Sequence, residues 1–240
     1  MSERNARLCG FEESPVIVGH RGAAGLVPEN TLPSFEKAVQ LGVQAVELDV
    51  HLCEGELVVI HDSTLERTTD GRGQVSETAF SLLRTLNAGN GAGVPTLDEV
   101  FDLLPSNIGA NIELKGAGTG VAVARWLGPP AQRSVLLSSF DHDALEAFRE
   151  VRDDYPLAPL FGRWQKDALQ IADSFGSGFI NLSRKAATPA RLSLICEAGL
   201  KALIYTVNDL EEARLLIEAG AWGLFTDYPD RINRVELSRS

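Results

Sequence analysis

Cysteine is scarce in this chain: its 240 residues include three, Cys9, Cys53 and Cys196, widely separated and odd in number, with no Cys-x-x-Cys spacing. That excludes a disulfide framework and a zinc knuckle, and it points to a reducing compartment. Long apolar runs are missing as well. No stretch approaches the roughly 18 consecutive apolar residues of a membrane-spanning helix. The first twenty residues, MSERNARLCGFEESPVIVGH, lack the apolar run of about 7–15 residues that marks a signal peptide. The expectation is a soluble, cytoplasmic protein. Positive charge is in deficit, with 22 Lys and Arg against 33 Asp and Glu and a net charge of −11. Such a surface repels nucleic acid and anionic membranes, so neither is expected as a partner. A small-molecule substrate carrying phosphate would need a locally positive site, which a bound divalent cation would supply. Hydrophobic residues make up 44% and charged residues 23%, a globular composition with ample material for a core.

Short apolar runs alternate with helical patterns along most of the chain. Candidate strands are PVIVGH (15–20), QAVELDV (44–50), GANIELK (109–115), SVLLSSF (134–140), PLAPLF (156–161), GFINLS (178–183), KALIYTV (201–207) and WGLFTD (222–227). Helical segments are expected at 30–41, about 96–104, about 119–128, 141–151, 165–175, 188–198 and 209–219. Thr96 and Pro189 are good starts, and Gly199 and Gly220 good stops. Eight buried strands, each followed by a helix, predict an α/β fold, a (β/α)8 TIM barrel. An open doubly wound sheet is the alternative, disfavoured because no dinucleotide fingerprint follows the first strand. Only 228–240 remains for an eighth helix, which should be short. One domain over 1–240 is expected, with a small insertion after strand 2 at about 62–95. There ELVVIHD (56–62) pairs back on the second strand across Glu54-Gly55, and a polar Thr- and Gly-rich stretch follows it. An excursion of that length is more often a functional lid than a tether.

Residues two apart on a strand share a face. Glu47 and Asp49 therefore lie together on the second strand, as do Glu113 and Lys115 on the third. Adjacent strands are roughly 5 Å apart, and all four residues sit near strand C-terminal ends, where barrels build active sites. Three carboxylates held so close repel unless a cation lies among them or some are protonated. Oxygen ligands without cysteine favour Mg²⁺, Ca²⁺ or Mn²⁺ over zinc, with Mg²⁺ first. His20 ends the first strand and His61 ends the return of the second. Two imidazoles across a phosphorus centre can take a proton from a nucleophile and give one to a leaving alkoxide. Arg21 offers a fork for phosphate oxygens and Lys115 a point charge.

These residues stand in VGHRGAAGLVPENT (18–31), VELD (46–49), HD (61–62) with LERTT (65–69), and IELK (112–115). In that order they resemble the glycerophosphodiester phosphodiesterases, and the resemblance extends through LLSSFDHDAL (136–145), YTVND (205–209) and TDYP (226–229). The chain looks most like the short cytoplasmic bacterial members. The resemblance implies a TIM barrel with a small insertion after strand 2. It implies hydrolysis of glycerophosphodiesters, such as glycerophosphocholine or glycerophosphoethanolamine, to sn-glycerol 3-phosphate and an alcohol. A lyase-type phospholipase D on the same barrel, releasing a cyclic phosphate, is the alternative. By position, His20 and His61 would be the acid–base pair, Glu47, Asp49 and Glu113 the ligands of one divalent cation, and Arg21 and Lys115 phosphate binders. Glu29 and Asn30 belong to the signature and would orient the substrate site from the first loop. Phe140 and Tyr205 would wall the glycerol or alcohol moiety. His51 and His142 fall outside the signature and are expected to be structural. GAGTGV (116–121) lacks both GxGxxG and GK[ST] spacing, so no nucleotide is expected there.

Overall fold

In the computed structural model, residues 8–129, 133–176 and 178–238 are described. The strands are β1 (Val16–Gly19), β2 (Ala45–Cys53), β3 (Glu56–Val59), β4 (Gly109–Leu114), β5 (Val135–Ser139), β6 (Leu157–Phe161), β7 (Phe179–Ser183), β8 (Lys201–Tyr205) and β9 (Gly223–Thr226). They are ordered β1-β9-β8-β7-β6-β5-β4-β2-β3, and a further β1–β2 pairing closes the ring. All pairs are parallel except β2–β3. With β3 set aside, the result is a TIM barrel whose eight strands fall on the eight expected runs. The helices are α1 (Leu32–Gln40), α2 (Phe80–Leu83), α3 (Leu97–Leu103), α4 (Thr119–Trp126), α5 (His142–Val151), α6 (Ala168–Phe175), α7 (Pro189–Glu197), α8 (Leu210–Glu218) and α9 (Arg234–Ser238). As expected, the last is short.

Local chemistry explains the boundaries. Thr96 and Glu99 form a reciprocal capping box at the start of α3, satisfying two otherwise orphaned N–H donors. Thr188 caps α7, with Pro189 in the first turn. Gly199 and Gly220 follow the ends of α7 and α8 at φ +73° and +104°, the left-handed stop that glycine tolerates best.

The barrel separates two layers of apolar side chains. Outward residues such as Val46, Leu48, Ile112, Leu137 and Ile204 pack against Phe35, Val123, Phe148 and Ile195 of the helices. Inward residues Val16, Val18, Ala45, Leu136, Phe179 and Leu203 fill the N-terminal half of the barrel, with Phe11 as a plug. Gly109 makes room for that plug, since a Cβ there would lie 2.6 Å from both the Phe11 ring and the Cys9 carbonyl oxygen. Because the apolar layer fills the lower barrel, the inward carboxylates gather at the C-terminal end, the usual place for barrel chemistry.

The departure after β2 is also as expected. Val50 pairs with Val59 and Cys53 with Glu56 in an antiparallel hairpin. Its two-residue turn has both φ values positive, +48° at Glu54 and +91° at Gly55, as a type I′ turn requires. The insertion that follows has a small core of its own, made by Cys53, Val58, Ile60, Leu65, Val75, Leu83, Ala88 and Val94. The sequence reading did not anticipate its short helical turns, Val75–Glu77 and α2. Among the described residues, no helix is long and apolar enough to cross a membrane.

Candidate active site

Strand register dictates which side chains meet. Glu47 pairs with Asn111 and Asp49 with Glu113 across β2–β4, and Glu113 pairs with Ser138 across β4–β5. Paired residues in neighbouring parallel strands face the same side. Glu47, Asp49, Asn111, Glu113 and Ser138 therefore all turn inward. The carboxylates of Glu47, Asp49 and Glu113 converge, each offering an oxygen within 4.8 Å of the others. Glu47 and Asp49 are buried, and Glu113 nearly so.

Two cations meet this cluster. Lys115 Nζ lies 2.6 Å from Glu113 Oε1 and 3.3 Å from Asp49 Oδ1. Arg21 Nε lies 3.3 Å from Asp49 Oδ2, and the Arg21 backbone N–H donates to Glu47 Oε2 at 2.9 Å. Arg21 holds φ +51°, which points its N–H back into the cluster. Asn30 Nδ2 donates to Asp49 Oδ2 at 2.9 Å, from φ +55°.

The electrostatics divide the three acids. Burial would raise Asp49, but Lys115 and Arg21 outweigh it and hold its carboxyl low. Burial pushes Glu47 well above the ordinary carboxylate range, and the charges of Asp49 and Glu113 add to this. Burial pushes Glu113 to about 7, helped by Asp49 and opposed by Lys115. Three carboxylates against two fixed cations leave a deficit of positive charge that the protein meets only by holding protons. A hard, oxygen-only donor set with that deficit fits a divalent cation.

The two expected histidines flank the cluster. His20 Nδ1 pairs with Asp227 Oδ1 at 2.6 Å, while its Nε2 lies 3.9 Å from Glu47 Oε2. His61 Nδ1 pairs with Asp62 Oδ1 at 2.5 Å. A neutral ring that donates from Nδ1 to a carboxylate has its Nε2 lone pair free, so both rings are held in the same tautomer. Both line one cavity of about 180 Å³ with Arg21, Glu47 and Glu113. Phe140 and Tyr205 form its apolar wall, edge to face at 5.8 Å. Lys115 lies 5.9 Å from the Phe140 ring centre. Burial drives the Tyr205 phenol above its ordinary range.

Glu29 and Asn30 are drawn into the site through protein partners. Glu29 Oε1 accepts from Arg21 Nη1 at 2.7 Å, and Asn30 contacts Asp49 as above. His51 shares the inward face of β2 with Asp49, and its Nε2 lies 3.1 Å from the His61 carbonyl oxygen, a support for the segment that carries His61. His142 packs on Phe161 and Phe175 and reaches the Leu160 carbonyl. It stays outside the site.

Several participants escaped the sequence reading. Asp62 and Asp227 each orient a histidine. Asn208 Nδ2 donates to Asp227 Oδ2 at 2.6 Å. Arg67 grips Asp62 and Glu29 together. Below the carboxylates, Asn111 Nδ2 donates to Ser138 Oγ at 2.8 Å and Asn181 Nδ2 to Asn111 Oδ1 at 3.3 Å, all fully buried. The signals were present: HD, LERTT, TDYP and YTVND contain Asp62, Arg67, Asp227 and Asn208, and Asn111 lies two before Glu113 on one strand face.

Comparison with known proteins identifies the family. The model of the glycerophosphoryl diester phosphodiesterase family matches residues 20–231. A glycerophosphodiester phosphodiesterase of Caldanaerobacter subterraneus subsp. tengcongensis is 30% identical over 240 residues, covering 90% of this chain and 96% of the relative. One from Bacillus altitudinis is also 30% identical, with 91% and 97% covered. Among solved structures, an Oleispira antarctica phosphodiesterase in complex with the product sn-glycerol-3-phosphate superposes with a TM-score of 0.88 at 29% identity, covering 94% of this chain and 97% of that one. A match that takes in every residue of the carboxylate cluster and both histidines establishes that this chain belongs to the glycerophosphoryl diester phosphodiesterase family.

Proposed function

We propose that this protein hydrolyses glycerophosphodiesters, such as glycerophosphocholine and glycerophosphoethanolamine, to sn-glycerol 3-phosphate and an alcohol. The observation that carries this reading is the pairing of two histidines, each fixed at Nδ1 by a carboxylate, with three converging acids in one cavity. The relatives' names and the product held by the Oleispira antarctica structure support the substrate class.

Glu47, Asp49 and Glu113 would hold one divalent cation, with Mg²⁺ the first choice for carboxylate oxygens and Ca²⁺ or Mn²⁺ the others. When bound, it supplies charge stabilisation at the phosphoryl oxygens. Arg21 and Lys115 bind phosphate oxygens from the rim. One imidazole takes the proton of the substrate's 2-hydroxyl, whose oxygen attacks phosphorus. The other gives a proton to the departing alcohol as its P–O bond breaks. Water then opens the cyclic phosphate with the two roles exchanged. Phe140 and Tyr205 line the organic moiety.

The test is release of sn-glycerol 3-phosphate from glycerophosphocholine by chelator-stripped protein, with and without Mg²⁺, Mn²⁺ or Ca²⁺. Metal-dependent release is expected. Accumulation of a cyclic phosphate alone would identify a lyase, and absence of release with every metal would overturn the reading. Cation uptake has its own signature at pH 6. The Glu113 carboxyl, pushed to about 7 by burial, still holds most of its protons there, and burial raises Glu47 above the ordinary carboxylate range in the same direction. Binding must expel them. Calorimetry in buffers of different ionisation heat should show proton release that fades as the pH rises past 7. These raised acids also mean that the cation-free fold loses stability as pH climbs from the ordinary carboxylate range towards 7. Added cation should restore it.

A further inference from the structure

Arg67 lies outside the carboxylate cluster and belongs to the insertion, yet it is the link between the two halves of the mouth. Its Nε donates to Asp62 Oδ2 at 2.6 Å and its Nη2 to Asp62 Oδ1 at 2.9 Å. The other edge of the same guanidinium reaches Glu29, with Nη1 to Oε2 and Nη2 to Oε1, both at 2.8 Å. Asp62 in turn holds His61 Nδ1, and Glu29 Oε1 also accepts from Arg21 Nη1. The connected path therefore runs His61–Asp62–Arg67–Glu29–Arg21. It joins the insertion to the loop after β1.

We propose that Arg67 is a positioning residue that sets the ring of His61 and the guanidinium of Arg21 together, by gripping Asp62 and Glu29 in one planar double fork. This rests on the catalytic reading of His61 and Arg21 given above. Geometry singles out arginine for the task. Four N–H···O bonds leave one plane in two directions, an arrangement that guanidinium provides and a point-charge ammonium does not. Stability alone does not account for it. The Arg67 side chain is 45% exposed, and ion pairs so open to solvent contribute little to folding. What the double fork fixes is orientation. A free Asp62 could rotate away from Nδ1, and His61 would then lose its single tautomer. A free Glu29 could take Arg21 away from the phosphate side of the cavity.

The test compares wild type, Arg67→Gln and Arg67→Lys, full length, by two readouts. The first is nitrogen NMR of the imidazoles at pH about 9, which needs no substrate and is simplified by the presence of four histidines in the chain. His61 should show one Nδ1–H tautomer in wild type and a mixture in Arg67→Gln. His20, held by Asp227, should be unchanged and serves as the internal control. The second is steady-state hydrolysis of glycerophosphocholine. Removing such an orienting partner typically costs roughly 10- to 100-fold in activity, and here the loss should divide between a lower kcat, through His61, and a higher KM, through Arg21. Arg67→Lys can serve one carboxylate at a time, so it should rescue one of the two parameters and not both. Turnover of Arg67→Gln within twofold of wild type, or an unmoved His61 tautomer, would overturn the proposal. If wild type itself releases no sn-glycerol 3-phosphate, the functional reading has failed, and the NMR comparison still decides whether Arg67 holds His61.

Discussion

His20 and His61 face one cavity, but the protein holds them by different means. His20 stands on the barrel wall. Its backbone N–H donates to the Thr226 carbonyl at 2.9 Å, and its ring donates to Asp227, which follows β9 directly. Asp227 is braced by a neutral amide: Asn208 Nδ2 donates to Oδ2, while Asn208 Oδ1 accepts from the Asp227 N–H at 2.9 Å. His61 stands on the insertion. Its carboxylate partner is the next residue in the chain, and that partner is braced by the charge of a half-exposed arginine. The supports leave electrostatic marks. Hydrogen bonds from Arg67 drive Asp62 far below the ordinary carboxylate range. Burial works to raise Asp227, and the hydrogen bonds from His20 and Asn208 together with the positive charge nearby outweigh it. One ring thus depends on closure of the whole barrel, and the other on a local charged clamp. Similar functional geometry has been reached from a rigid scaffold and from an appended one.

The most drastic way to break this comparison is to remove each ring. His20→Ala and His61→Ala should each lower kcat by roughly 10²- to 10⁴-fold, the usual range for a general acid or base, with thermal unfolding little changed. The double variant should be scarcely worse than the poorer single one, because groups acting in one step are not additive. A variant that kept wild-type turnover would remove that histidine from the acid–base pair.

A smaller change leaves the rings and alters their supports. Asp227→Asn and Asp62→Asn each replace an acceptor oxygen with an N–H donor. At Asp227 the new amide meets the donor Asn208 on one side and His20 on the other, in a half-buried setting that gives it little room. It can accept from only one of them, so His20 is turned or forced into the wrong tautomer. The expected loss is roughly 100-fold, at the upper end for a partner that orients a functional imidazole. Asp62 is itself as exposed as Asp227, but its neighbours His61 and Arg67 are more open than His20, and the amide can swing away with Arg67. The loss there should be nearer roughly 10-fold. Steady-state kinetics of the two variants decides the matter. Equal losses would mean that the neutral brace and the charged clamp constrain their rings equally well.

The same contrast separates what the sequence made legible from what it did not. The eight barrel strands were visible because each is a short run of Val, Ile, Leu and Ala buried on both faces. Glu47, Asp49 and Glu113 were visible because period-two alternation places them on one face of two adjacent strands. The His61 side could have been read further, since HD and LERTT put Asp62 and Arg67 within six residues of the ring. On the His20 side, TDYP and YTVND contain Asp227 and Asn208, but nothing local tied either residue to the ring. Asp227 lies 207 residues away in the chain, and the two meet only because β9 pairs with β1. Local spacing carries no information about a contact made by closing a ring. The buried Asn181–Asn111–Ser138 relay was hidden for the same reason, being shared among three strands.

The finest test asks whether the two supports can be loosened independently. Leu83 is fully buried in the small core of the insertion, and Leu192 is fully buried on the inner face of α7, a helix that contributes no site residue. Cutting either to alanine removes similar volume and should cost about 2–5 kcal/mol at its own site. The consequences should differ. In Leu83→Ala the insertion opens locally, so amide exchange should accelerate across 62–95 while the barrel strands stay protected. Activity should fall several-fold well below the melting temperature, and the His61 tautomer should blur before that of His20. In Leu192→Ala the midpoint of unfolding should drop by roughly 4–20 °C, taking about 2–4 °C per kcal/mol for a chain of this size, with turnover at low temperature nearly intact. If Leu83→Ala instead accelerated exchange in β1 and β9 as much as in the insertion, the insertion and the barrel would unfold as one unit. The His61 clamp would then owe its rigidity to the barrel after all.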